Sequence, residues 1–238
     1  MKIGILSDIH ANLVALEAVL EAMGTVDALW VCGDTVGYGP DPSDVLALLT
    51  ARGATLVAGN HDRAVATGED LDLFNTPAAL AVKTHQRWLS AGERDLLEGL
   101  PRTLEANDVT VCHGSLRDPL WEYVTNPRSA AASLALAKTT HCCAGHTHVP
   151  SLFSAGDRGQ PGRVKYDTPY PLRARVFMNP GSVGQPRDGD PRAAYAILDG
   201  VAGTVTFHRS SYRIEETQRR IRERGLPPIL ADRLSFGL

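Results

Sequence analysis

Lys2-Ile3-Gly4-Ile5-Leu6-Ser7-Asp8-Ile9-His10 is an apolar run that ends in a small residue and then in two side chains able to bind a metal. Four further stretches repeat that grammar. They are Ala28-Leu29-Trp30-Val31-Cys32-Gly33-Asp34 and Thr55-Leu56-Val57-Ala58-Gly59-Asn60-His61-Asp62, then Val109-Thr110-Val111-Cys112-His113-Gly114 and Cys142-Cys143-Ala144-Gly145-His146-Thr147-His148. Short apolar runs bounded by Gly and polar residues predict strands buried on both faces. Open α/β sheets bind ligands just beyond the carboxyl ends of their strands. Asp, His or Asn at that point in all five runs therefore predicts one shared site.

Outward from these runs, helical periodicity over Asn12–Met23, Pro42–Ala51 and Pro77–Ser90 gives a β-α-β-α-β-α order for the first hundred residues, with Asn12 and Asp41 or Ser43 as caps. A short helix near Glu93–Gly99 stops at Gly-Leu-Pro. Strands are expected at Arg102–Ala106 and Val109–Cys112 around an Asn107-Asp108 turn, and a helix at Ser129–Lys138 precedes the His141–Ala144 strand. The pattern is then all-β: Ser151–Ser154, Val164–Asp167, Ala174–Met178, Ala193–Leu198 and Val205–His208. The Gly- and Pro-rich stretch 156–172 reads as an exposed hairpin or flap, and 212–238 as a C-terminal helical segment over Ile214–Arg224 and Ile229–Leu234. One domain spanning 1–238, with two facing sheets and helices outside, fits this order.

Composition bounds the function loosely. A formal charge of -3 gives no sign of a general nucleic-acid or anionic-membrane binder. The chain enters a strand at once and has no run of eighteen apolar residues, so a cytoplasmic location without membrane association is expected. Cys32, Cys112, Cys142 and Cys143 fall in the predicted strands and read as small reduced core residues, since no paired CxxC pattern is present. The flap and the amphipathic C-terminal helix are both surfaces that leave a homo-oligomer open.

The five motifs supply two carboxylates, one amide oxygen and five imidazoles. Mixed oxygen and nitrogen ligation without thiolate suits Mn, Fe, Co, Ni or Zn better than Ca or Mg. That count exceeds the need of one four-coordinate ion, and a carboxylate can bridge two. Two ions roughly 3.5–4 Å apart clamp the attacking and leaving oxygens of an in-line displacement, and a water between them becomes a nucleophile near neutral pH.

Ser-Asp-Ile-His, Gly-Asp-Thr-Val-Gly, Gly-Asn-His-Asp, Cys-His-Gly-Ser and Gly-His-Thr-His, in that order over residues 8 to 148, resemble the full motif set of the calcineurin-like metallophosphoesterase superfamily. The Asn179-Pro180-Gly181-Ser182 turn extends the likeness toward the C-terminus. The subgroup it is most similar to comprises compact bacterial and archaeal phosphodiesterases and proteins related to diadenosine tetraphosphatases. The resemblance implies a four-layer αββα sandwich of two mixed β-sheets flanked by helices. It also implies two divalent transition-metal ions, with Mn favoured: Asp8, His10, Asp34 and His148 for the first, Asp34, Asn60, His113 and His146 for the second. Asp34 would bridge them, and a hydroxide between the ions would attack phosphorus in line. His61 would face the phosphate as the catalytic histidine. Asp62 reads as a cap or as a partner to a ligand, and His85, His141 and His208, outside every motif, as ordinary hydrogen-bonded or surface residues.

Departures from the family pattern shape the substrate. In the serine/threonine protein phosphatases the Gly-Asp motif continues to an Asp that orients the catalytic His and an Arg that grips phosphate; Gly37 and Tyr38 stand here instead. Arg117 and Arg187 are the replacement candidates for substrate binding, with Arg63 a weaker third, because a guanidinium captures phosphate bidentately. Tyr38 is free to stack on a base or sugar, or to pack. A small phosphate ester, most readily a phosphodiester or nucleotide, is the expected substrate. The alternatives are a phosphomonoesterase of protein-phosphatase type, a nuclease, and a non-catalytic scaffold like the retromer subunit of the same fold. Polymeric nucleic acid is disfavoured by the absence of a basic, aromatic-interleaved groove. A scaffold is disfavoured because His61 and every ligand position are kept, at the cost of burying charge.

Overall fold

A computed structural model describes residues 1–154 and 162–238. In chain order the elements are β1 (Lys2–Leu6), α1 (Leu13–Met23), β2 (Ala28–Val31), α2 (Pro42–Ala51), β3 (Thr55–Leu56), α3 (Asn60–Thr67), α4 (Thr76–Trp88) and α5 (Ala91–Glu98). Then follow β4 (Thr103–Ala106), β5 (Val109–Cys112), α6 (Pro127–Leu136), β6 (His141–Cys143), β7 (Ser151–Ser154), β8 (Pro169–Pro171), β9 (Val176–Asn179), β10 (Ala193–Asp199), β11 (Thr204–Ser210), α7 (Ile214–Glu223) and α8 (Ile229–Asp232).

Two mixed sheets result. The six-stranded sheet runs β3-β2-β1-β10-β11-β8 and the five-stranded sheet β4-β5-β6-β9-β7. β1, β2 and β3 are mutually parallel, as are β5, β6 and β9, so the carboxyl ends of six strands gather on one side. The inward-facing residues of both sheets, among them Ile3, Ile5, Trp30, Val109, Val111, Met178 and Phe207, form one buried cluster between them. Leu6, Leu29 and Val31 turn the other way onto Leu16 and Val19 of α1 and Val45 and Leu49 of α2. On the far side Cys112, Phe153 and Phe177 pack on Ala130 and Leu134 of α6. Helices, sheet, sheet and helix make the expected αββα sandwich. The close approach of α1 to the sheet requires Gly4, where a Cβ would lie 2.3 Å from the Met23 sulfur.

Three local expectations change. Gly59-Asn60-His61-Asp62 opens a helix, α3, that periodicity did not reveal. Asp62 makes it: one carboxylate oxygen accepts from the Gly59 N–H at 3.0 Å and the other from the Val36 N–H at 3.0 Å. The Val164–Asp167 strand is reduced to isolated bridges at Arg163 and Tyr166, and the third edge partner is instead β8, whose prolines sit where a missing N–H is tolerated. Of the expected 156–172 flap, residues 156–161 lie outside the described residues, whereas Pro169–Pro171 pair with Thr204–Thr206 as an edge strand. The Asn107-Asp108 turn appears as read, with φ of 48° and 62°, joining β4 and β5.

Candidate metal centre

Every motif residue arrives at the carboxyl edge of the sheets. Asp8 and His10 follow β1, Asp34 follows β2, Asn60 and His61 occupy the first turn of α3, His113 follows β5, and His146 and His148 follow β6. Five of these turn inward through left-handed backbone, with φ of 51° at Asp8, 48° at His10, 53° at Asp34, 66° at His146 and 59° at His148. Non-glycine residues adopt that region at a cost and persist there where the surroundings enforce it, as functional sites do. The enforcement is visible. The Asp8 and His10 N–H groups donate to the Gly33 and Asp34 carbonyls at 3.0 Å, and the Gly145 N–H donates to the His113 carbonyl at 2.9 Å. The Asn179-to-Ser182 turn completes the frame: Asn179 Nδ2 donates to the Gly145 carbonyl at 2.6 Å and Ser182 Oγ to the Asp8 carbonyl at 2.7 Å.

The side chains converge in two groups that share Asp34. Ligand atoms of Asp8, His10, Asp34 and His148 lie within 4.8 Å of one another, and so do those of Asp34, His113 and His146. Asn60 Oδ1 adjoins the second group, 3.0 Å from His113 Nε2. Asp34 divides its oxygens: Oδ1 accepts the His61 N–H at 2.9 Å, while Oδ2 stands 3.6 Å from His10 Nε2 and 3.3 Å from His113 Nε2. Gly59 makes room for that carboxylate, since a Cβ there would lie 2.1 Å from Oδ1.

The donor set calls for cations. His10 and His148 each give Nδ1–H to a backbone carbonyl, of Val36 at 3.1 Å and Gln185 at 2.6 Å, so both Nε2 atoms carry lone pairs, and these face each other at 3.2 Å. His113 likewise sets Nδ1 on the Cys32 carbonyl at 2.8 Å, and its Nε2, which carries a proton while Asp34 holds the ring charged, lies 3.0 Å from His146 Nδ1, whose own Nε2 meets the Trp121 carbonyl at 3.1 Å. Carbonyls that fix the outer nitrogen of an imidazole are the usual supports of metal-bound histidines. Converging lone pairs and two buried carboxylates are reconciled by positive charge placed among them, and a divalent metal centre fits these residues.

The electrostatics agree. Burial alone would raise the carboxyls of Asp8 and Asp34, but the neighbouring imidazoles, chiefly His148 and His113, hold both well below the usual range. Burial works against a charged His113 as well, yet the Asp34 carboxylate lifts it to about 9. Burial lowers His146 to about 3 and His61 to about 4. Asp62 is raised to about 6 by burial and by the charge of Asp34.

Above the cluster a cleft of about 80 Å³ is lined by Asp34, Asn60, His61, His146 and His148, and by Tyr38, Phe74, Trp121, Tyr123 and Arg187. His61 lies in an aromatic box, its ring 4.4 Å from Tyr38, 4.7 Å from Phe74 and 4.9 Å from His10. Its Nδ1 is buried with no hydrogen-bond partner among the described residues and faces Gly37, where a Cβ would lie 2.3 Å away. Arg187 reaches the cleft, bonded to Gln185 Oε1 at 2.8 Å and to the Tyr38 hydroxyl at 3.4 Å. Arg117 does not line it; its guanidinium meets Glu122, Nε to Oε2 at 3.0 Å. Arg63 is held by Glu69 at 2.9 Å. His85 is a bonded core residue, accepting from the Gly37 N–H at 3.0 Å and donating to the Gly39 carbonyl at 2.9 Å. His141 and His208 lie in neither ligand group. The aromatic wall of Phe74, Trp121 and Tyr123 was not anticipated. The one signal was a pair of large aromatics in an aperiodic stretch, Trp121-Glu122-Tyr123, where exposed rings serve contact more often than packing.

Comparison with known proteins agrees with this architecture. The sequence pattern of the Calcineurin-like phosphoesterase superfamily domain matches residues 1–203. A metallophosphoesterase from Sphaerobacter thermophilus superimposes with a TM-score of 0.91 at 44% identity, covering 100% of this chain and 99% of that one. The protein MJ0912 of Methanocaldococcus jannaschii is 32% identical over 246 residues, 99% of this chain and 98% of its own. Phosphodiesterase YfcE of Escherichia coli K12 is 27% identical over 217 residues, covering 84% and 88%. Shorter matches reach symmetrical bis(5'-nucleosyl)-tetraphosphatases. No helix among the described residues is long and apolar enough to cross a membrane.

Proposed function

We propose, from the premise that the chain belongs to the calcineurin-like phosphoesterase superfamily and is a hydrolase of phosphate ester bonds, that its substrates are small or nucleotide phosphodiesters. The observation that carries this reading is the pair of ligand groups sharing Asp34 beneath a cleft whose wall, among the described residues, holds one guanidinium, that of Arg187. Asp8, His10, Asp34 and His148 would hold one divalent ion and Asp34, Asn60, His113 and His146 a second, with Mn favoured. Bound there, such ions would supply a water of lowered pKa and positive charge for the phosphoryl group.

The chain's own residues do the rest. His61, pushed down to about 4 by burial, is a neutral imidazole at pH 7. With Nδ1 against Gly37, its Nε2 is the atom left to the cleft, where as a neutral imidazole it donates a hydrogen bond to a phosphoryl or leaving-group oxygen, keeps its proton and stabilises the negative charge that develops as the bond breaks. Arg187, held by Gln185 and Tyr38, orients the phosphate. Phe74 and Tyr38 keep bulk water off His61. A diester carries one negative charge and a monoester two near neutral pH. Among the described residues, one guanidinium and a rim of Tyr38, Phe74, Trp121 and Tyr123 with Leu73, Asn75 and Ala78 suit the former. Four free, buried cysteines suit a reducing compartment, and we place the enzyme in the cytoplasm.

The test is turnover of metal-stripped, Mn-reloaded protein on bis-p-nitrophenyl phosphate and p-nitrophenyl phosphate side by side. Faster cleavage of the diester is expected; faster cleavage of the monoester would replace this reading with a phosphatase. Inactivity on both with metal bound would favour the scaffold.

A further inference from the structure

Gly37-Tyr38-Gly39, a few residues after Asp34, folds as a three-residue turn. The Gly39 N–H donates to the Gly37 carbonyl at 2.7 Å, and Tyr38 at the centre holds a φ of 57°. A turn of this size with a positive central φ is rare and strained, the more so on a residue that has a Cβ. Such a conformation persists where its surroundings enforce it. Much of the cleft wall depends on this turn. Gly37 backs His61 Nδ1, the Tyr38 ring lies 4.4 Å from that of His61, and the Tyr38 hydroxyl meets Arg187 at 3.4 Å. Arg187 also lies over the Tyr38 ring, its guanidinium carbon 5.8 Å from the centroid.

His85 holds both ends of the turn. It projects from α4, a helix that carries none of the five motifs, and it is fully buried. Its Nδ1 accepts from the Gly37 N–H at 3.0 Å and its Nε2 donates to the Gly39 carbonyl at 2.9 Å. One acceptor and one donor are what a neutral imidazole offers, and burial keeps the ring neutral by pushing its pKa down to about 4. The ring is itself fixed. Trp88 stacks on it with centroids 5.5 Å apart and planes at 28°, and the Arg224 guanidinium lies 5.3 Å over Trp88. A buried leucine would fill the same space. What the imidazole adds is a pair of hydrogen bonds, both made to a single strained turn.

We infer that His85 is a positioning residue for phosphoester cleavage, holding the Gly37-to-Gly39 turn that aims His61 and Arg187 at the substrate. The inference rests on the reading of His61 and Arg187 as the groups that meet the phosphate. His85 acts at one remove, since it belongs to neither ligand group and does not line the cleft. Without it, the Gly37 N–H and the Gly39 carbonyl lose their side-chain partner, and the turn is free to relax from its left-handed centre. His61 then loses the backbone against which Nδ1 rests, and Arg187 loses the fixed hydroxyl and ring of Tyr38.

The test is a double-mutant cycle on Mn-loaded protein with bis-p-nitrophenyl phosphate. His85→Leu keeps the volume and removes both hydrogen bonds. It is expected to retain both ions, to lower kcat roughly tenfold or more, the scale of one lost outer support, and to raise KM through Arg187. His85→Gln, whose amide can accept from Gly37 and donate to Gly39, should recover most of both. Because His85 acts through His61, adding His85→Leu to His61→Ala should lower kcat little further, whereas independent effects multiply. The milder His85→Asn, which keeps an acceptor toward Gly37 and drops the donor toward Gly39, carries the same cycle if the leucine variant misfolds. Wild-type kcat in both His85→Leu and His85→Asn would overturn the positioning role, as would losses that multiply with that of His61→Ala. Normal turnover of His61→Ala alone would instead sink the reading of His61, and the route assigned to His85 with it.

Discussion

The two halves of the metal cluster use the same residue types but are housed differently. Asp8, His10 and His148 are at most 2% exposed, and the small space behind His10 is closed by Tyr38 and by Ile221, Leu230 and Leu234 of the C-terminal segment. On the other side His113 is fully buried, but Asn60 and His146 are each 4% exposed and border the cleft. His146 is covered by Tyr123, which is itself 51% exposed, and by Trp121, both carried on a loop. One half is sealed by packed helices and the other by an aromatic loop. Loops open at lower free energy than packed core elements. We therefore expect an ion in the first half to be retained longer than one in the second, although His148 of the first half also lines the cleft.

The comparison breaks most completely at the residue the halves share. Asp34→Asn is expected to deplete both ions and bring turnover to background, because a neutral amide cannot offer a second anionic oxygen; unchanged metal content by elemental analysis would rule out the bridge. His61→Ala should keep both ions and lower kcat about 10²–10³-fold; normal turnover would remove His61 from the chemistry. Asn60→Ala sharpens the contrast. We expect it to weaken the second ion by about 10–100-fold, the scale of one lost support, while the first stays. Chelator titration should then show one retained ion, and equal loss of both would erase the distinction between the halves. Smallest is the effect at the rim. Arg187→Ala should raise KM roughly tenfold, the loss of one charge-assisted contact, with kcat less affected. Arg117→Ala, whose side chain is held by Glu122, should change KM less. The reverse order would exchange their roles.

Much of the site is legible in the linear chain because strand ends are local events. An apolar run, a glycine and a ligand place a side chain at a sheet edge with no knowledge of the partner strand, and five such edges imply convergence. The other parts are not local. Nothing near Arg117 or Arg187 in sequence distinguishes them. The structure separates them because Glu122, five residues on, takes the first, while Gln185 and the distant Tyr38 turn the second toward the cleft. Helix α3 escaped periodicity because its start is fixed by Asp62 bonding to Gly59 and Val36, a tertiary staple.

By itself, then, the sequence determined which residues could bind metal, the alternation of strands and helices that carries them, and the family they resemble. All of these depend on side-chain type and short-range spacing. Only the tertiary structure decided how Asp34 divides its two oxygens, which carbonyls aim each imidazole, which arginine meets the cleft, and that His85 bonds both ends of the turn carrying Tyr38. Those are contacts between residues up to 174 positions apart, as from Ser182 to Asp8, and they exist once the two sheets have closed on a common core.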